Sequence, residues 1–280
     1  MNKPSGHKWM FLIALFCLLP ALFARPSLAA EQVRVGGTGA GLAAMRQLAD
    51  VYERSHPGVT VRIMPSLGSS GGIKAVLSGV IDIAISSRPL HEEEQRQGAA
   101  SVEYARTPLV FATSAKNAPP SLSLDELEKI YAGGLSAWPD SGRIRLILRP
   151  ENDAMTDDLR RISTGMSQAL DAAKKREGLV MAITDQENAD VLEKTPGSFG
   201  AITLSQALAE RRKLTLFSFN GVNALRGRAV NASYPLFRSL FLVTSPKTSA
   251  AAKAFAASIT GPAGRRVLEQ TGNLAVQHKE

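Results

Sequence analysis

Between residues 32 and 90 the chain alternates repeatedly between short apolar runs and helical stretches, with a glycine-rich or polar turn at most changes. Gln32–Val35 alternates as a strand does and runs into Gly36-Gly37-Thr38-Gly39-Ala40-Gly41. Leu42–Ser55 follows as a helix, with Leu42, Met45, Leu48, Ala49 and Tyr52 on one face. His56-Pro57-Gly58 ends it, and Val59–Met64 reads as the next strand. The pattern then repeats: a glycine–serine turn ending at Gly72, a helix over Ile73–Ser78, an apolar strand Ile81–Ile85, and a polar turn Ser86-Ser87-Arg88-Pro89. Strand–helix–strand units of this kind place their strands parallel, because each helix carries the chain back over the sheet. In such sheets ligands bind beyond the carboxyl ends of the strands. All three polar turns (Gly36–Gly41, Ser66–Gly72 and Ser86–Pro89) fall at those ends.

A helix that starts at such a turn directs its first, unpartnered N–H groups into it, and the positive end of its dipole suits an anion. Gly68, Gly71 and Gly72 leave the backbone free to turn, while Ser69 and Ser70 add hydroxyls and are good N-cap residues.

The rest of the chain narrows the class. Residues 1–29 read as a secretory leader: Lys3, His7 and Lys8 at the start, an apolar run from Met10 to Ala24, and a Ser27-Leu28-Ala29 cleavage signal. Export into a bacterial periplasm is therefore expected. The only cysteine, Cys17, lies in that leader, so the mature chain offers no disulfide, thiolate metal site or cysteine nucleophile. Losing Lys3, Lys8 and Arg25 takes the formal charge from +8 to +5, a mild excess that is consistent with an anionic ligand. No arginine–aromatic interleaving points to nucleic acid. The four histidines do not cluster at ligand spacing, so no metal or other cofactor is expected. Gly68-Ser69-Ser70-Gly71-Gly72 fits the G-x-S-x-G elbow of serine hydrolases, with Ser70 as nucleophile. However, Pro65-Ser66-Leu67 separates it from the strand, and His91 and His278 are poorly placed as a base. Gly39-Ala40-Gly41-Leu42-Ala43-Ala44 fits a dinucleotide fingerprint, but the next strand ends at Met64-Pro65 without a ribose-binding acid.

Beyond Leu90, Val102–Thr113 reads as a strand leaving the first lobe and Ser233–Val243 as the strand returning to it. Between them Ser123–Tyr131, Asp157–Met166 and Ser167–Arg176 read as helices, and Ile144–Leu148, Gly197–Ile202 and Leu214–Phe219 as strands. Thr248–Ile259 and Gly264–Thr271 are closing helices.

Gly68–Leu90 (GSSGGIKAVLSGVIDIAISSRPL) resembles the signature of the phosphate-binding proteins of ABC transporters. Leu124–Trp138, Pro196–Ala201 and Tyr234-Pro235-Leu236 are similar to later landmarks of that family, so the resemblance covers most of the mature chain. It implies an α/β, two-lobed periplasmic-binding-protein fold of type II, with mixed sheets flanked by helices and a hinge between the lobes. The first lobe would be residues 30–112 plus 221–280, and the second 113–220. The implied function is capture of a small oxyanion, phosphate before others, by a monomer that delivers it to an ABC permease and is not an enzyme.

The family's site residues carry over unevenly. Thr38, Gly39 and Ala40 match the first anion-holding turn within one residue of register. Ser69, beside Ser70, matches the serine at the second helix start. Ser87 falls where some members have aspartate and others serine, and Arg149 matches the anion-binding arginine. The family's Ser-Gly-Thr after that arginine is replaced by Asp153-Ala154-Met155, with Thr156 one step late. Asp153 has two readings: a proton acceptor for a protonated anion such as phosphate, or only the cap of the following helix. Arg149 likewise either holds the ligand or pairs with Asp153 and Glu151. The loss of Ser-Gly-Thr also leaves open a binding-protein-like module used in signalling or surface interaction.

Overall fold

The computed structural model describes residues 31–139 and 142–276. The leader with Cys17, and His278, lie outside the described residues. The first unit has the expected order: β1 (Glu31–Gly37), α1 (Gly39–Ser55), β2 (Val59–Ser66), α2 (Gly68–Ser78) and β3 (Ile83–Ser86). β1 lies between β2 and β3 and is parallel to both. Ile83 and Ile85 pack with Val33, Val35, Leu42 and Met45 on the α1 side, and Ala84 packs with Ile73 and Val76 of α2 on the other. A strand covered by helices on both faces is apolar throughout, and this is why β3 shows no alternation.

After a short helix, α3 (Glu92–Arg96), comes the 14-residue strand β4 (Ala100–Thr113). Its first part, Ala100–Pro108, pairs antiparallel with Phe237–Thr244, and its second part, Leu109–Thr113, pairs antiparallel with Ser198–Thr203. One strand therefore serves two groups of strands. The sheet continues through Arg145–Leu148 to Val180–Met181, both parallel steps, so it is mixed. The apolar interior follows the same division. One cluster gathers Val33, Leu42, Ile85, Tyr104, Leu240 and Phe255. Another gathers Phe111, Tyr131, Trp138, Leu148, Phe199 and Phe217, and Ala224 and Tyr234 also belong to it. Tyr234 donates its hydroxyl to the Leu109 carbonyl at 3.1 Å, and Leu109 N–H donates to Leu236 O at 2.9 Å, where the chain crosses between the clusters.

Three local expectations need correction. α2 begins at Gly68, not Ile73, so Ser69 and Ser70 are helical rather than capping residues. Its N-cap is Leu67, which has no side-chain cap bond. α1 likewise begins at Gly39 with Thr38 as N-cap. The small, glycine-rich composition of both starts resembles a loop but continues the helix. Finally, Asp185–Lys194 forms a helix that the apolar pattern does not reveal. Its signal is Thr184-x-x-Glu187, a capping-box spacing, and Thr184 Oγ does accept from Glu187 N–H at 3.1 Å.

Two glycines are required by how closely the backbones meet at the strand ends. Gly37 has φ +119°, and a Cβ there would strike the Ile85 backbone. A Cβ on Gly72 would lie 2.6 Å from Gly37 Cα, so α2 seats against β1 only with glycine at that position.

Candidate functional site

The carboxyl ends of β1, β2 and β3 open onto a cavity of about 450 Å³. Its lining includes Thr38, Ser69, Ser70, Ser87, Asp153 and Asp185. The sequence therefore brings Thr38, Ser69, Ser70, Ser87 and Asp153 to one place. Gly39 and Ala40 are buried behind this lining at the start of α1, and Arg149 is buried beneath Asp153 and Asp185.

The α2 side of the cavity is built from hydroxyls. The Ser69 Oγ accepts from the Ser87 N–H at 3.0 Å and lies 3.1 Å from the Ser87 Oγ. This bond ties the turn after β3 to the first turn of α2. The first N–H groups of α2 have no partner within the helix. Ser70 Oγ accepts from Arg88 Nη2 at 3.0 Å, and Arg88 also pairs with Glu94 at 2.7 Å. The Arg88 hydrogen bond is the main cause that holds the Glu94 carboxyl below its usual range. Among the described residues, no histidine or carboxylate is hydrogen-bonded to Ser70, whose oxygen accepts from Arg88.

The α1 side is different, because a carboxylate already occupies it. Asp185 Oδ2 accepts from Thr38 Oγ at 3.0 Å and from Ala40 N–H at 3.1 Å. Its other oxygen lies 3.3 Å from Arg149 Nη2. Arg149 is shared further: Nη2 donates to Asp153 at 2.8 Å and Nη1 to the Ala182 carbonyl at 2.8 Å. The arginine side chain is 4% exposed and that of Asp185 8%. Thr38 Oγ and Ala40 N–H, both expected to meet a ligand at this turn, thus meet Asp185. Gly39 is part of the same arrangement, since a Cβ there would lie 2.7 Å from Asp185 Cβ. Asp185 is the residue that sequence reasoning missed. It stands 147 positions from Thr38, and the only local sign of it is the Thr184-x-x-Glu187 spacing at the start of its helix.

Asp153 is placed as its capping reading expects. It is the N-cap of the helix Ala154–Arg160, accepting from Met155 N–H at 2.8 Å, and it pairs with Arg149 while lining the cavity. Glu151 pairs not with Arg149 but with Arg160. Among the described residues, no cluster of three or more histidine, cysteine, aspartate or glutamate side chains could hold a metal ion. No described helix is long and apolar enough to cross a membrane.

Comparison with known proteins places this cleft in context. The model of the PBP superfamily domain matches residues 24–262. A phosphate-binding protein PstS of Borreliella burgdorferi is 28% identical over 221 residues, covering 75% of this chain and 78% of that one. The crystal structure of a candidate phosphate ABC transporter substrate-binding protein from Clostridium perfringens, with bound phosphate, superposes with a TM-score of 0.74 at 22% identity. The alignment covers 88% of this chain and all of that one. A periplasmic molybdate-binding protein of Azotobacter vinelandii has the same fold, with a TM-score of 0.61 at 17% identity, over 88% of this chain and all of that one.

Proposed function

The chain belongs to the PBP superfamily, and on that premise we propose that it captures a small oxyanion, phosphate before others, and delivers it to an ABC permease. The observation that carries this reading is the convergence of Thr38, Ser69, Ser70, Ser87 and Asp153 on one cavity. The PstS relative and the phosphate-bound structural neighbour support phosphate as the anion. A buried oxyanion is held by aimed N–H and O–H donors, and the α2 start supplies both. Phosphate near neutral pH also carries a proton, which a carboxylate such as Asp153 can accept. Sulfate and molybdate carry none.

In this reading the two apolar clusters are the cores of two lobes, and the chain passes between them near Leu109 and Leu236. Ligand bound between them shifts an open–closed equilibrium. The protein acts as a periplasmic monomer after removal of its leader, and binding involves no covalent chemistry.

Titration calorimetry of the protein with phosphate, sulfate, molybdate and tungstate tests this. Phosphate is expected to saturate one site, and no heat from any of the four would reject the reading. A second reading is favoured by Asp185, which fills the first donor turn from within the chain. Here the cleft no longer takes an oxyanion and the module serves in signalling or surface interaction. It predicts no heat in the same titration.

A further inference from the structure

In the proposed oxyanion site the guanidinium expected to meet the ligand, Arg149, is held by Asp153, Asp185 and the Ala182 carbonyl. A second arginine lines the same cavity. Arg238 lies on the strand Phe237–Thr244, just past the crossing at Leu236, and pairs in register with Thr107 of β4. It is 2% exposed. Its Nε donates to Asp158 Oδ2 at 2.5 Å, yet its Nη2 is buried with no hydrogen-bond partner among the described residues. A buried donor left unpaired is costly, the more so when charged, so such a group is expected to have a partner.

We propose that Arg238, and not Arg149, supplies the guanidinium to the bound anion. The anion sits between Arg238 Nη2 and the first turn of α2, with Ser69 and Ser87 alongside. This proposal rests on the oxyanion reading and adds its charged residue. The Asp158 bond fixes the guanidinium through Nε and leaves Nη2 to the ligand, so little rotamer freedom is lost on binding. The location also has a mechanical meaning. Arg238 sits beside the crossing yet is anchored to the helix that follows Asp153, so an anion on Nη2 touches the element that joins the two clusters. The inorganic anion is the probe; a phosphate group carried on a larger molecule would present the same chemistry.

The test is calorimetric titration of phosphate into the full chain and into Arg238→Gln and Arg238→Lys, with thermal melts by circular dichroism as the check on folding. Arg238→Gln removes a charge-assisted hydrogen bond to the anion and is expected to weaken binding about tenfold or more. Arg238→Lys keeps the charge but has no second edge with which to hold Asp158 and the ligand together. It is expected to lose a similar factor, and it serves as the test if the glutamine variant does not fold. Phosphate binding as in the unmodified chain by a folded Arg238 variant overturns the proposal while leaving the oxyanion reading intact. An unmodified chain that binds neither inorganic phosphate nor glycerol 3-phosphate overturns both.

Discussion

The two helix starts that face the cleft look alike in sequence and differ in what fills them. Gly36–Gly41 and Gly68–Gly72 each follow a parallel strand, open a helix and carry hydroxyls or glycine amides. The α1 start is closed by Asp185, which accepts from Thr38 and Ala40 and leans on Arg149. At the α2 start the serine side chains bond, among the described residues, to their immediate surroundings, Ser87 and Arg88, and open onto the cavity. A helix N-terminus attracts negative charge, but the attraction does not distinguish a dissolved anion from a carboxylate of the same chain. The first turn has the second kind of partner, and in the proposed function the second is the one that takes the ligand.

The strongest challenge to this contrast is Arg149→Gln. Removing one member of a buried charge network leaves the others uncompensated, and the expected loss is about 3–5 kcal/mol in urea unfolding. A variant of unchanged stability that no longer binds phosphate would reverse the contrast and make Arg149 the ligand's partner. Asp185→Ala sharpens it from the other side. It is expected to lower stability by about 1–3 kcal/mol, because Thr38 and Ala40 lose their acceptor. It should also raise phosphate affinity by freeing those donors, which calorimetry reads directly. Ser69→Ala removes the acceptor of the Ser87 N–H, at about 1 kcal/mol, and weakens phosphate binding on the open side only.

The smallest effect concerns pH. The Arg88 bond holds the Glu94 carboxyl below its usual range. The stability it contributes is therefore present above the unfolded value, about 4.3, and is lost as pH falls through the lower folded value. Denaturation midpoints of the wild type and Glu94→Gln should differ at pH 7 and converge towards pH 3.

The alternation of apolar runs and glycine turns made the parallel β1–β3 unit legible, and with it the arrival of Thr38, Ser69 and Ser87 at one cavity. Alternation and helical period are local, and local pattern is enough to set which end of a strand a turn occupies. The exact helix starts were less legible, since Gly68–Gly72 has loop composition within a helix whose packing against Gly37 demands small residues. Asp153 showed the limit most clearly. Its sequence position allowed a cap or a ligand-facing carboxylate, and it both caps the helix and lines the cavity.

The sequence by itself determined that unpartnered donors would gather at one sheet edge, because the first N–H groups of a helix lack acceptors wherever the helix lies. Only the tertiary structure decided which of those donors would be taken. Asp185 reaches Thr38 across 147 positions of chain, and Arg238 Nη2, on a strand paired with β4, has no partner among the described residues. Satisfying a donor depends on what folding brings within hydrogen-bond distance, and at such separations no local pattern records it.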